Sequence, residues 1–558
     1  MQSNPAAVRW AAPSLGRLTL PSLVILYLLA IFLVQPSGDF PLNDDWSYAV
    51  LVRTLLFDHD WRPSGWNSAP IITQSLLAAP FCLFTTCSYE ALRVFSLVCG
   101  LVLLVSSYFL FRRVTRSEFT AGLATTAVAL NPVNFQLSFT FMTDIPFAAL
   151  LTLSMLAFLK TLRSDSIALY VAACLLAVAA TLCRQLGLCV PLAYLAMSAF
   201  VPGLRGRRIV RAALPLVLCI STFALFELWL QQTGRLPALY HQNEGVILSN
   251  LRDPALLIKL VIANLTIAFL YFGLFGLPVL ILRQLPPVGW PNPWLRWTPR
   301  CVAAVAVLCA CIVFSLVRMM PAGHNILIKQ GLGPLTLRDG YVLGLDNVPS
   351  LPVPFWVVVT ALSVIGLFKL AELVASFSLR LIIERGDVTA EGRTDAVFAF
   401  LCTGAYLTPL IVGRFFDRYL MAFLPIVLMF VLAATTAVPR EHLWRNAVAG
   451  ALCAAFAIFA VLGTHDYLSW NRARWEAIAD AQRLDGATVT TMDGGFEFNG
   501  STSYDAAYVQ SPDKSWWWVK GDTFQITFGP VPGMTELRRY PYVNYLPPAT
   551  RHIYLLRR

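Results

Sequence analysis

The chain has 558 residues, 57% of them hydrophobic and 13% charged, with a mean hydropathy of +0.64. Soluble domains carry roughly 25% charged residues, so this polar supply cannot cover one or two water-exposed domains of such size. That excludes a soluble enzyme, and equally a disordered or fibrous chain, and leaves a multi-span membrane protein. The net charge of +11, from 42 Lys and Arg against 31 Asp and Glu, sits in short clusters between apolar runs. Charge placed that way orients a membrane protein and does not point to nucleic acid.

A spanning helix needs about 20 mostly apolar residues. In chain order, the runs that meet or nearly meet this length are 18–35, 90–111, 117–131, 142–160, 167–183, 186–202, 212–230, 256–282, 301–320, 352–372, 394–412, 419–437 and 446–463. They predict an all-α polytopic fold of about 13 transmembrane helices. Arg9 and Arg17 precede Leu20–Val34 without a small-residue cleavage pattern, so the first run reads as a retained span. The apolar stretch 71–86 contains Pro80 and suits a helix lying at the interface.

With the N-terminus inside, every inner loop is basic, including Arg112, Arg113 and Arg116, and Arg205, Arg207, Arg208 and Arg211. The outer loops, longer in total, hold fewer cations. Thirteen spans then place the C-terminus outside. Composition changes after Gly463, which divides the chain into a membrane module, 1–463, and a small extracytoplasmic α+β domain, 464–558. Within the tail, Trp475–Leu484 reads as helix and Thr488–Met492, Thr523–Phe528 and His552–Leu556 as strands. Trp516, Trp517 and Trp518 read as membrane anchors rather than a sugar platform. The cysteines lie mostly inside apolar runs; Cys82 and Cys87 read as buried thiols, although this pair alone could meet an oxidising space together.

Signatures of nucleotide cradles and metalloproteases are missing: there is no GxxxxGK[ST], strand-linked GxGxxG, HExxH or CxxC. Polar residues gather instead on the outer face. The first outer loop, 36–89, carries Asn43-Asp44-Asp45-Trp46-Ser47-Tyr48. Asp144 stands at the mouth of the fourth span in Thr143-Asp144-Ile145-Pro146. Arg184 and Gln185 follow the fifth span, and Arg414, Asp417, Arg418 and Tyr419 precede the twelfth. Adjacent carboxylates at a membrane surface are costly unless solvated or used. Asp144 could serve simply as a helix-start charge, where carboxylates are favoured. Asp58-His59-Asp60 reads as a solvated loop, and Asp493-Gly494-Gly495-Phe496-Glu497 as a turn.

In these residues the sequence resembles the C-type (GT-C) membrane glycosyltransferases, of the kind that includes protein O-mannosyltransferases and the lipid A aminoarabinose transferase. Asp44-Asp45 with Tyr48 resembles the acidic pair of that family's first outer loop, Thr143–Pro146 its second acid, and Arg418-Tyr419-Leu420 with Pro425 a late-span motif. The resemblance covers about residues 18–463. It implies a GT-C-like fold and transfer of a sugar from a polyprenyl-phosphate-linked donor to a glycan, lipid or protein hydroxyl, outside the membrane and with inversion. Where the family places a cation before a proline in this loop, the chain reads Asn67-Ser68-Ala69-Pro70. The phosphate contact therefore moves to Arg184, Arg414 and Arg418.

The chemistry suits these residue types. A carboxylate within reach of the acceptor hydroxyl takes its proton, a role assigned to Asp44 with Asp144 orienting, and Asp45 as the second acid. Guanidinium groups stabilise the departing phosphate, and Trp46, Tyr48 and Tyr419 supply sugar-contacting rings. No cofactor is required, but Asp44 and Asp45 would be the ligands if Mg²⁺ or Mn²⁺ took part. The alternative is a polytopic transporter or lipid-linked-sugar flippase, which would place ionisable groups at mid-membrane rather than at the outer helix ends.

Overall fold

The computed structural model describes residues 19–83, 85–201, 208–286, 292–383, 393–413, 415–437, 443–509 and 517–558, without the side chains of 241–244. Each of the thirteen apolar runs contains helix, although 186–202 is divided into short helical pieces and 419–437 into Asp417–Met421, Leu424–Ala434 and the strand Thr436–Ala437. Among the described residues eight helices are long and apolar enough to cross a bilayer: Tyr89–Val114, Asp144–Thr161, Ile209–Gln232, Pro254–Ile281, Pro293–Val317, Val353–Ile383, Arg393–Val412 and Leu443–Leu484. Local signals set their starts. Ser88 Oγ accepts from Ala91 N, and Asp253 accepts from Ala255 N and Leu256 N just ahead of Pro254.

Close helix crossing depends on glycine at one place above all. A Cβ on Gly273 would lie 2.4 Å from the Gly366 carbonyl carbon, and one on Gly366 would lie 2.2 Å from that of Gly273. Pro254–Ile281 and Val353–Ile383 thus meet backbone to backbone, as small residues allow between membrane helices. At one end of the bundle Asp395 is shared by Arg113 (3.1 Å) and Arg163 (3.3 Å), which ties three of the basic-loop ends together.

The opposite end is built from the first outer loop and the C-terminal segment. The loop contributes the helix Asp45–Phe57 and the shorter Ile72–Cys82, which lies within the stretch expected at the interface. Cys82 and Cys87 form a disulfide, correcting their reading as buried thiols; the loop turns back between them and brings the sulfurs together. The last helix, Leu443–Leu484, runs unbroken through position 463 and extends well beyond the apolar run. On it rests a four-stranded sheet in the order Met492–Asp493, Phe524–Thr527, Pro548–Arg557, Thr535–Tyr545, the first pair parallel and the others antiparallel. Asp466 holds this sheet to the helix by accepting from Tyr545 N and Leu546 N, each at 2.8 Å. Arg472 Nη1 donates to Gln35 O at 2.8 Å, so the C-terminal segment and the first loop share one side of the bundle.

Candidate active site

Four breaks in the helical chain converge on one cavity of about 410 Å³. Asp44 is the residue before helix Asp45–Phe57, and Asp144 begins Asp144–Thr161. Arg184 lies in extended conformation where helix Ile167–Cys183 ends and a 3₁₀ turn begins. Arg418 sits in the first turn of the short helix Asp417–Met421. That turn is anchored by Asp417, whose carboxylate accepts from Ile326 N, Leu327 N and Arg418 N. Helix ends suit such a meeting, because there polar side chains leave the lipid-facing pattern and can face others at one depth.

Asp44, Tyr48, Arg184, Arg418 and Tyr419 all line the cavity. The two arginines stack on one ring: the Arg184 guanidinium is 4.5 Å and that of Arg418 5.3 Å from the centre of Tyr419. Arg184 donates to Asp144 Oδ1 at 2.5 Å. Arg418 approaches Asp44 Oδ2 at 3.5 Å, a loose contact, and its Nε is buried without a hydrogen-bond partner. Among the described residues the second oxygen of Asp144 is likewise unmatched. The guanidinium groups of Arg184 and Arg418, fixed at the cavity wall, suit an anionic ligand, whereas the Asp144 oxygen is an acceptor set behind them. The Asp44 carboxyl is raised above its usual range by burial, against the pull of Arg418 and of the Trp66 indole, which donates to Oδ1 at 2.9 Å.

The other residues named from sequence lie elsewhere. Asp45 turns away from Asp44: its Oδ2 accepts from Leu42 N at 3.2 Å, and burial pushes its carboxyl up to about 8. The two carboxylates therefore face different surroundings, and among the described residues no cluster of three or more His, Cys, Asp or Glu side chains is arranged to hold a metal ion. Trp46 packs behind the cavity against Phe496, Tyr504 and Trp518. Trp517 and Trp518 are buried, Trp517 against Tyr341 and at the cavity wall, whereas anchoring in a bilayer was the expectation. Arg414 and Trp516 lie outside the described residues. Asp60 pairs with Arg62 and Arg235, each at 2.8 Å, in keeping with a loop site.

Several cavity residues carried no signal in the sequence. Trp66, Asn325 and Thr336 stand far apart along the chain and match no motif. Phe496 belongs to a segment that reads as a plain turn; in the structure only its first part turns, and Gly495, at φ +86°, leads into the helix Phe496–Ser503, whose first residue reaches the cavity.

Comparison with known proteins agrees with the resemblance read from the motifs. Residues 68–230 match the family model described as dolichyl-phosphate-mannose-protein mannosyltransferase. That segment contains Asp144 and Arg184 but ends before Arg418 and begins after Asp44. Two solved structures of ArnT from Cupriavidus metallidurans align along almost the whole chain. The apo form is 12% identical over 96% of this chain and 98% of its own, with a TM-score of 0.38. The form bound to undecaprenyl phosphate is 13% identical over 98% of both chains, with a TM-score of 0.38. No curated relative matches by sequence. The chain is an integral, multi-pass membrane protein similar, over residues 68–230, to the dolichyl-phosphate-mannose-protein mannosyltransferase family.

Proposed function

We propose that the protein transfers a sugar from a polyprenyl-phosphate-linked donor to an acceptor hydroxyl on the extracytoplasmic face of the membrane, with inversion. The observation that carries this reading is the joint exposure of Asp44, Arg184 and Arg418 to one cavity beside the membrane helices. The matched family model supports the donor class, since its description names a lipid-phosphate sugar. The basic inner loops and the Cys82–Cys87 bond support the outer face, where an oxidising compartment preserves disulfides.

In this reading the acceptor hydroxyl gives its proton to Asp44 while its oxygen attacks the anomeric carbon. The bond from that carbon to the phosphate oxygen breaks with its electron pair, and the lipid phosphate leaves with added negative charge. Arg418 and Arg184 meet that charge as fixed donors in a partly dry site, where they need no reorganisation. Tyr419 holds both guanidinium planes, and Asp144 keeps Arg184 aimed. Attack opposite the leaving group inverts the configuration, as in inverting glycosidases. Tyr48 and Trp66 form the walls beside the base.

The test uses purified protein in nanodiscs with radiolabelled polyprenyl-phosphate sugars, followed by single-turnover transfer. Wild type should consume at least one such donor. Asp44→Asn should transfer about 10²–10⁴-fold more slowly with donor binding retained. Transfer at the wild-type rate by a folded Asp44→Asn protein would remove Asp44 from the role and make Asp144 the leading base.

A further inference from the structure

The catalytic loop is held from outside its own segment. Asn43, the residue before Asp44, has φ +56°, a backbone region that asparagine tolerates but that needs support from its surroundings. Its N–H donates to Glu497 Oε1 at 3.0 Å, across more than four hundred residues of chain. Glu497 is fully buried and meets two further donors: the Thr336 hydroxyl, 2.8 Å from Oε2 and 3.1 Å from Oε1, and Arg474 Nη1, 2.6 Å from Oε2. Arg474 is itself fully buried and also donates to Gly494 O at 2.9 Å. Gly500, one turn after Glu497 on the helix Phe496–Ser503, lets that helix close on Trp46, because a Cβ there would lie 2.4 Å from the indole.

A buried ion pair of this kind is a poor source of stability, since desolvating both charges offsets most of their attraction. Its position suggests a different return. Thr336 and Phe496 line the same cavity as Asp44, so the network joins three cavity-wall segments at one carboxylate. We propose that Glu497 is a positioning residue for the reaction at Asp44: it fixes the Asn43 backbone, and through it the direction of the Asp44 carboxylate, so that the C-terminal segment completes the active site. This inference rests on the function proposed above, but its anchoring half does not depend on it. Displacements of about 1 Å at a catalytic group cost on the order of 10²-fold in rate, which is the scale at stake.

Two charge-free replacements of the pair separate positioning from mere support. Arg474→Met with Glu497→Leu removes both charges and the acceptor for Asn43 N–H. Arg474→Met with Glu497→Gln removes both charges but keeps an amide oxygen for that N–H. The first pair should lower kcat at least about tenfold with donor affinity unchanged, and the second should stay within about threefold of wild type. Amide exchange at Asn43 should be slow in wild type and in the Gln pair, and fast in the Leu pair. Equal turnover in the two double variants overturns the proposal, as does a loss of donor binding that tracks the loss of turnover. If the Leu pair does not fold, wild-type exchange decides: an unprotected Asn43 amide in the folded protein overturns it. A wild type that transfers no lipid-linked sugar defeats the proposed function alone, and the exchange measurement still judges the tether.

Discussion

At the scale of single residues, neighbouring acids have been given opposite surroundings. Asp44 faces the cavity with Arg418 and Trp66 beside it, and its carboxyl lies above the usual range because burial outweighs both partners. In its proposed role as base it must be ionised, so the acid limb of the kcat/KM profile should fall above the ordinary carboxylate range and vanish in Asp44→Asn. Arg418→Ala should weaken donor use strongly, and Arg418→Lys should recover only part, since lysine cannot stack on Tyr419 or present a planar fork. Donor titration and turnover on both variants measure this. Asp45 gives a stability prediction of definite sign. Its carboxyl titrates near about 8 in the folded protein and near the usual value unfolded, so between these the native state holds the extra proton. Stability therefore falls as pH rises through that window. Asp45→Asn, which still offers an oxygen to Leu42 N, should flatten the fall, raising the melting temperature at pH 8 more than at pH 4.

At the scale of elements, the site is a product of helix ends. Helices begin just after Asp44, at Asp144 and just before Arg418, and one ends just before Arg184; each of these polar residues reaches the cavity or holds one that does. Hydropathy reveals where runs stop, so these residues were visible before any coordinates. What holds the runs together was not. The Gly273–Gly366 crossing leaves no room for a methyl group on either side. Gly273→Ala or Gly366→Ala should destabilise the folded protein by about 1–3 kcal/mol, the usual cost of overpacking, and lower its melting temperature in detergent. Val353–Ile383 is a long, mostly apolar helix in which nothing about Gly366 stands out; the partner glycine lies on a helix nearly a hundred residues earlier.

At the scale of the molecule, the first loop and the C-terminal segment form one assembly, joined by Arg472 to Gln35 and by Glu497 to Asn43. That contact predicts a shared membrane face whatever the final number of spans. A periplasm-active reporter after Arg558 and a membrane-impermeant label at position 58 should report the same side, and a cytosol-active reporter after Arg208 the opposite one. Opposite signals from the first two would break the topology and separate Glu497 from Asp44.

Composition alone determined that the chain lives in a bilayer, because so few charges cannot cover a soluble surface. Its apolar runs determined the helices, and the loop between the first two runs disclosed the acid pair. These are local properties, written within about 20 consecutive residues. The tertiary structure decided which acid faces the cavity, that Arg184 and Arg418 share the ring of Tyr419, that Trp66 reaches Asp44, and that Glu497 reaches Asn43. Each of these is a meeting of segments far apart in the chain. Their residues become neighbours only when the helices pack, and no periodicity in a linear sequence records a distance across the bundle.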